Sequence, residues 1–82
     1  MGTTRQEIEQ WFDKGVAQGA THLIIVCDTY DWGDYPVYVT ADQSPHEVAA
    51  EYMGKNMQRV MEVYKLSMSK EAQLAQYRAF NY

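Results

Sequence analysis

Residues 23–27, Leu-Ile-Ile-Val-Cys, limit what this chain can fold into more than any other stretch. Branched aliphatic residues of this kind favour a strand. Alternate side chains of a strand point to opposite faces, so Leu23, Ile25 and Cys27 share one face and Ile24 and Val26 the other. Both faces are apolar. A half-exposed strand alternates with polar residues, whereas one that is apolar on both sides lies in the middle of a sheet with cover above and below. Residues 21–28 therefore need a strand on each side, or a second subunit to supply the cover.

Residues 36–40, Pro-Val-Tyr-Val-Thr, are the next strand. Pro36 has no N–H to donate, so this strand lies at an edge or begins at Pro36. The loop from Thr29 to Tyr35 contains Gly33 as its permissive turn residue. The hairpin extends on this reading to Tyr30 and Tyr35, around a tight Asp31-Trp32-Gly33-Asp34 turn.

Helix signals flank the hairpin. Thr4 and Glu7 have capping-box spacing; Ile8, Trp11, Phe12 and Val16 form one apolar stripe, and Gly19 stands where a left-handed residue ends a helix over 4–18. Gly15 costs that helix about 1 kcal/mol, and its use is close packing against the sheet. Ser44, Pro45 and Glu47 open a second helix with Val48, Ala49, Tyr52 and Met53 on its apolar face. Gly54-Lys55-Asn56 reads as its stop and turn. Residues 57–66 carry two patterns: Met57, Val60, Met61 and Tyr64 fit a helical stripe, while Val60, Tyr64 and Leu66 against Met61 and Val63 fit a strand. A strand over 58–66 is the reading adopted, because the central strand needs a second neighbour. The alternative is αββαα, with residues 45–66 helical. Ser69 caps a last helix carrying Ala72, Leu74, Ala75 and Tyr77 or Arg78, and Phe80 and Tyr82 fold back as a terminal latch.

The expected fold is thus a single α+β domain over 1–82, in the order αββαβα, with a small antiparallel three-stranded sheet ordered 2-1-3. The link from the second strand to the third skips one strand, a split βαβ unit of expected right hand.

Charge narrows the function classes. Seven Lys and Arg against eleven Asp and Glu give a net charge of −4. Affinity for nucleic acid rests on clustered Lys and Arg, which this sequence lacks, so nucleic acid is not the expected partner. Cys27 is the single cysteine, so no internal disulfide forms. The first ten residues are polar, and the longest apolar run is far too short to span a bilayer, so neither a leader nor a membrane is expected. A reducing cytosol fits. An 82-residue chain has a thin core, which a homo-oligomer would extend.

Candidate chemistry gathers in the hairpin loop. Asp28, Asp31 and Asp34 recur every third residue; three carboxylates can hold a divalent ion, but the spacing lacks the EF-hand pattern, and solvated, turn-capping aspartates are the plainer reading. Tyr30, Trp32 and Tyr35 flank them and suit stacking on a planar ligand or anchoring a protein interface. Asn56 and Arg59 stand at the start of the third strand. Arg59 either clamps a phosphate or, the plainer reading, pairs at the surface with Glu62 or Glu51. Arg78 is a second, weaker anion candidate. His22 and Cys27 fall on opposite strand faces and make no nucleophilic pair; Cys27 reads as a small buried apolar residue. No phosphate-loop, dinucleotide-binding, nucleophile-elbow or zinc-protease motif occurs. The candidate binding set is Tyr30, Asp31, Trp32, Asp34, Tyr35, Asn56 and Arg59, with no catalytic residue, metal or cofactor expected.

Three runs, HLIIVCDTYDWGDYPVYV, NMQRVMEVYKL and EAQLAQYRAF, resemble a family of short uncharacterised proteins of bacteria and tailed phages. The resemblance covers nearly all of the chain and carries over no catalytic residue. It implies a mobile-element context, in which small proteins are more often inhibitors or ligand-sequestering proteins than metabolic enzymes. The functional expectation is a non-enzymatic, homo-oligomeric binding protein of the bacterial host cytosol. It holds a small nucleotide-like ligand or a host protein, as an anti-defence protein would, through the Tyr30–Tyr35 loop and Arg59. The alternatives are a protein-interaction module anchored by Trp32 and a small metal-dependent hydrolase using the loop aspartates.

Overall fold

The computed structural model describes residues 4–76 and 78–82. Its elements follow the order α1 (Arg5–Ala17), β1 (His22–Asp28), β2 (Gly33–Val39), α2 (Pro45–Gly54), β3 (Gln58–Lys65) and α3 (Lys70–Leu74). The sheet order is β2-β1-β3, with β1 antiparallel to both neighbours. Residues 45–66 are therefore not one helix. β2 and β3 run parallel to each other on either side of β1, joined by α2.

The two faces of β1 fill two cores. Ile24 and Val26 join Val39, Val60 and Val63 and are covered by Val48, Ala49 and Tyr52 of α2. Leu23 and Ile25 join Tyr64 and are covered by Ile8, Trp11 and Phe12 of α1, with Leu74 of α3. The strand is thus sandwiched within one chain, and no second subunit is needed to cover it.

Local chemistry sets each element. The Thr4–Glu7 capping box forms as expected, and Ser44 and Ser69 cap α2 and α3. At the end of α1, Ala20 N–H donates to Gly15 C=O (2.9 Å) and Gly19 N–H to Val16 C=O (3.1 Å). This is the Schellman arrangement, and Gly19 holds the left-handed φ of 78° that it requires. The inward stripe of α1 is the half-buried Ile8 and Trp11 with the buried Phe12 and Gly15, while Val16 is exposed, a correction to the expected stripe. A Cβ on Gly15 would meet Leu66 Cδ1 at 2.9 Å and Tyr38 Cε1 at 3.0 Å, so the missing side chain lets helix and sheet approach. Met53, placed on the apolar face of α2 by its spacing, is exposed on the last turn of that helix.

Three details of the strands and of the α2 stop sharpen or correct the expected pattern. β2 begins at Gly33, three residues before the expected start, and of the two readings of Pro36 the edge strand holds, with the proline in mid-strand. α2 ends at Gly54, as the Gly54-Lys55-Asn56 stop and turn implies, and the left-handed conformation after it falls on Met57, with φ 62°. In β3 the pairing slips between Ile25↔Glu62 and Val26↔Val60, leaving Met61 as an extra bulged residue. Val60 and Val63 consequently share the α2 side, while Met61, Tyr64 and Leu66 belong to the other. Simple alternation had put Val60 with Tyr64.

The outer edge of β3 is closed by the end of the chain. Val63 N–H donates to Ala79 C=O (2.7 Å) and Asn81 N–H to Val63 C=O (3.0 Å), around a parallel bridge between Val63 and Phe80. The wholly buried Gln73 extends this closure. Its Oε1 accepts from Lys65 N–H (2.7 Å), and its Nε2 donates to Lys65 C=O (2.8 Å), as a neighbouring strand would. Tyr82 packs on the α2-side core and stacks on His46 with ring centres 4.0 Å apart, while Phe80 stays exposed, so the latch is made by one of the two expected aromatics. Arg78 is exposed, and Tyr77, expected along α3, lies outside the described residues.

Candidate functional site

Two loops meet at the end of the sheet where β1 turns into β2 and α2 leads into β3. Thr29 N–H donates to Met57 C=O (2.8 Å), joining them. We call this end the apex.

The hairpin loop is Thr29–Trp32, with Asp28 paired to Gly33, so the tight turn expected over 31–34 shifts back by two residues. Two aspartates shape it. Asp28 Oδ1 accepts from Tyr30 N–H (2.9 Å), and Asp31 Oδ1 accepts from Gly33 N–H (2.9 Å). These local bonds replace ladder bonds, the reason Asp is favoured in turns. A Cβ on Gly33 would lie 3.1 Å from that Asp31 oxygen, which accounts for glycine there. Yet the left-handed residue is Trp32, with φ 61°. A bulky residue in this region is an outlier costing about 1–2 kcal/mol. Met57, across the joined loops, is a second.

These side chains face solvent. Tyr30 is 77% exposed, Trp32 57% and Met57 46%. Asp31 and Asn56 are exposed beside them in the same two loops. The expected site residues therefore divide. Tyr30, Asp31, Trp32 and Asn56 gather at the apex. Tyr35 does not: it packs half-buried in the α2-side core, donates its hydroxyl to Gln58 Oε1, and meets Tyr52 edge-on. Burial raises its pKa above the ordinary tyrosine value, with Tyr52 and Asp28 adding to the effect. Asp34 and Arg59 flank Cys27 on the α1 side of the sheet, one on each neighbouring strand. The buried Cys27 thiol has its pKa raised by burial first, then by its hydrogen bond to Asp34. Cys27 is thus the small buried residue expected and a poor nucleophile at neutral pH.

Arg59 is exposed on β3, and the surface ion pair expected for it does not form: Glu51 is paired with Lys55 (3.9 Å), and Glu62 accepts from the Tyr64 hydroxyl (2.8 Å). Among the described residues no group of three His, Cys, Asp or Glu side chains is placed to hold a metal ion. Asp28, Asp31 and Asp34 have separate local roles. His22 lies at the far end of β1 from Cys27, its ring nitrogens 2.9 Å from Thr21 Oγ1 and 3.2 Å from Tyr82 C=O. Sequence reading missed Met57, since only the backbone shows it beside Trp32.

No family model, curated protein or solved structure matches the chain. No helix among the described residues is long and apolar enough to cross a membrane.

Proposed function

We propose that the chain is a small non-enzymatic binding protein whose apex, Tyr30, Asp31, Trp32, Asn56 and Met57, docks on a protein partner. One observation carries this reading: two bulky residues hold a glycine-like backbone on adjoining loops and present their side chains to solvent. Backbone strain and exposed apolar surface are each unfavourable in the free protein. Such features collect at binding sites, and Trp, Tyr and Met are enriched where proteins meet. Trp32 is the anchor of this interface.

A protein partner suits the apex better than a nucleotide-like ligand. Asp28 and Asp31 surround the aromatic pair and repel phosphate, and Arg59 lies a row further into the sheet. In the setting suggested by the resemblance to short proteins of bacteria and tailed phages, the partner is a host effector blocked in the bacterial cytosol. The chain then acts as an anti-defence protein.

The test is affinity capture from bacterial lysate with parent, Trp32→Ala and Tyr30→Ala chains, followed by titration of the isolated partner. Support is a partner held by the parent, lost with Trp32→Ala and weakened with Tyr30→Ala, while both variants keep the parental melting temperature. A partner held equally by all three chains would sink the apex as the interface. Calorimetry with cyclic nucleotides separates the ligand version, which requires heat that disappears in the Arg59→Ala chain.

A further inference from the structure

The opposite end of the sheet, where His22 pairs with Lys65, carries a cavity of about 420 Å³. That lies within the roughly 300–1,000 Å³ typical of small-molecule sites, which are mostly apolar with a few fixed polar groups. Val16, Ala20 and Leu66 give this cavity its apolar wall, and Lys65 and Ser67 bring polar groups to it. Backbone bonds fix three of its lining residues. The Schellman turn fixes Ala20, Leu66 N–H donates to Thr21 C=O (3.0 Å), and Gln73 holds the Lys65 backbone from both its N–H and its C=O.

The chemistry of the lining selects a ligand. Thr21 Oγ1 donates to Val39 C=O (3.2 Å), and the His22 ring is held between Thr21 and Tyr82, so neither is available to orient a guest. Lys65 takes part in none of the ion pairs among the described residues. The cavity thus joins an apolar wall to one lysine that is in none of those ion pairs. We propose that this cavity binds a small monocarboxylate with an apolar tail. The tail lies on Val16, Ala20 and Leu66; the carboxylate meets Lys65 Nζ, with the Ser67 hydroxyl as a second donor. A phosphate ester carries more negative charge than one lysine balances, in a chain whose net charge is already −4. An amine is repelled, and a neutral alcohol lacks the charge-assisted bond. The proposal uses no apex residue and stands apart from the partner reading.

The probe is octanoate, titrated into the full chain with labelled methyl groups and followed by NMR, with octylamine and inorganic phosphate as controls. The expected result is saturable shifts of the Val16, Ala20 and Leu66 methyls with octanoate alone. Lys65→Gln keeps the backbone bonds to Gln73 and should weaken binding about tenfold. Ala20→Trp fills the cavity and should abolish binding, with Val16→Phe as the second filling variant should the first not fold. Trp32→Ala should leave it unchanged. Shifts confined to the Met57 methyl, equal binding of octylamine, parental affinity in Lys65→Gln, or no saturable shift would each overturn the proposal.

Discussion

Around His22 and Val39, at one end of the sheet, the left-handed and buried polar groups are answered within the chain; around Asp28, Gly33 and Gln58, at the other, the left-handed residues are left facing water. At the first end the left-handed position is a glycine, Gly19, and the buried amide of Gln73 is fully bonded. The imidazole of His22 has a neighbour at each nitrogen. Among the described residues no buried side-chain nitrogen or oxygen lacks a partner. At the apex the left-handed positions are Trp32 and Met57, both exposed. The contrast separates what folding selects from what it tolerates. At the first end the residue that relieves strain is present; at the apex it is absent, and the proposed docking surface would account for the side chains kept there.

The largest expected effect falls at the closed end. Gln73→Leu keeps the approximate shape but leaves the Lys65 N–H and C=O without their partner. Each orphaned buried group costs about 1–3 kcal/mol, so urea denaturation should show a loss of about 3 kcal/mol. A loss under about 1 kcal/mol would mean that this end is no more self-sufficient than the apex.

Alkaline pH probes the α1-side core. Tyr64 is buried, and its pKa is raised far above the ordinary 10.0, by burial first and then by the Glu62 carboxylate. Tyr38 is raised by burial as well. The phenol stays neutral in the folded chain and ionises at lower pH once unfolded. Its contribution is therefore complete below pH 10.0 and fades as pH rises from there toward the raised value. Melting temperature should fall above that pH, less steeply in Tyr64→Phe. Equal slopes in parent and variant would remove Tyr64 as the cause.

The left-handed residues give a smaller, paired effect of opposite sign. Gly19→Ala should destabilise by about 1 kcal/mol, because alanine is strained where φ is 78°. At the apex the same chemistry reverses: Trp32→Gly should be more stable than Trp32→Ala by about 1 kcal/mol. The smallest effect is at Met57, where Met57→Gly should change stability by no more than about 0.5 kcal/mol, as relief of strain offsets the freer unfolded chain.

Much of the fold was legible because the signals were local. The Thr4 and Ser44 caps, the Gly19 stop and the two-sided apolar run of β1 each depend on neighbouring residues. The ambiguity over 57–66 has a physical origin in the bulge at Met61. An extra residue in a strand turns a two-residue spacing into three, so Val60 with Val63 and Met61 with Tyr64 imitate a helix. Gln73 was invisible because its partner is the backbone of Lys65, which carries no side-chain signature. At the site, Tyr30 and Trp32 stand out by residue type, but Tyr35 has the same type and turns inward, since successive strand residues alternate between faces. Met57 joins the apex only through a backbone bond to Thr29, and left-handed φ at a residue other than glycine leaves no trace in composition.

A docking apex requires Trp32 to be kept for contact and not for folding, and the unfolding free energy of Trp32→Gly tests this most directly. The expected result is a variant at least as stable as the parent. A loss of about 2 kcal/mol or more, the size produced by emptying a packed core site, would show that the indole belongs to the fold and contradict the apex as a docking surface.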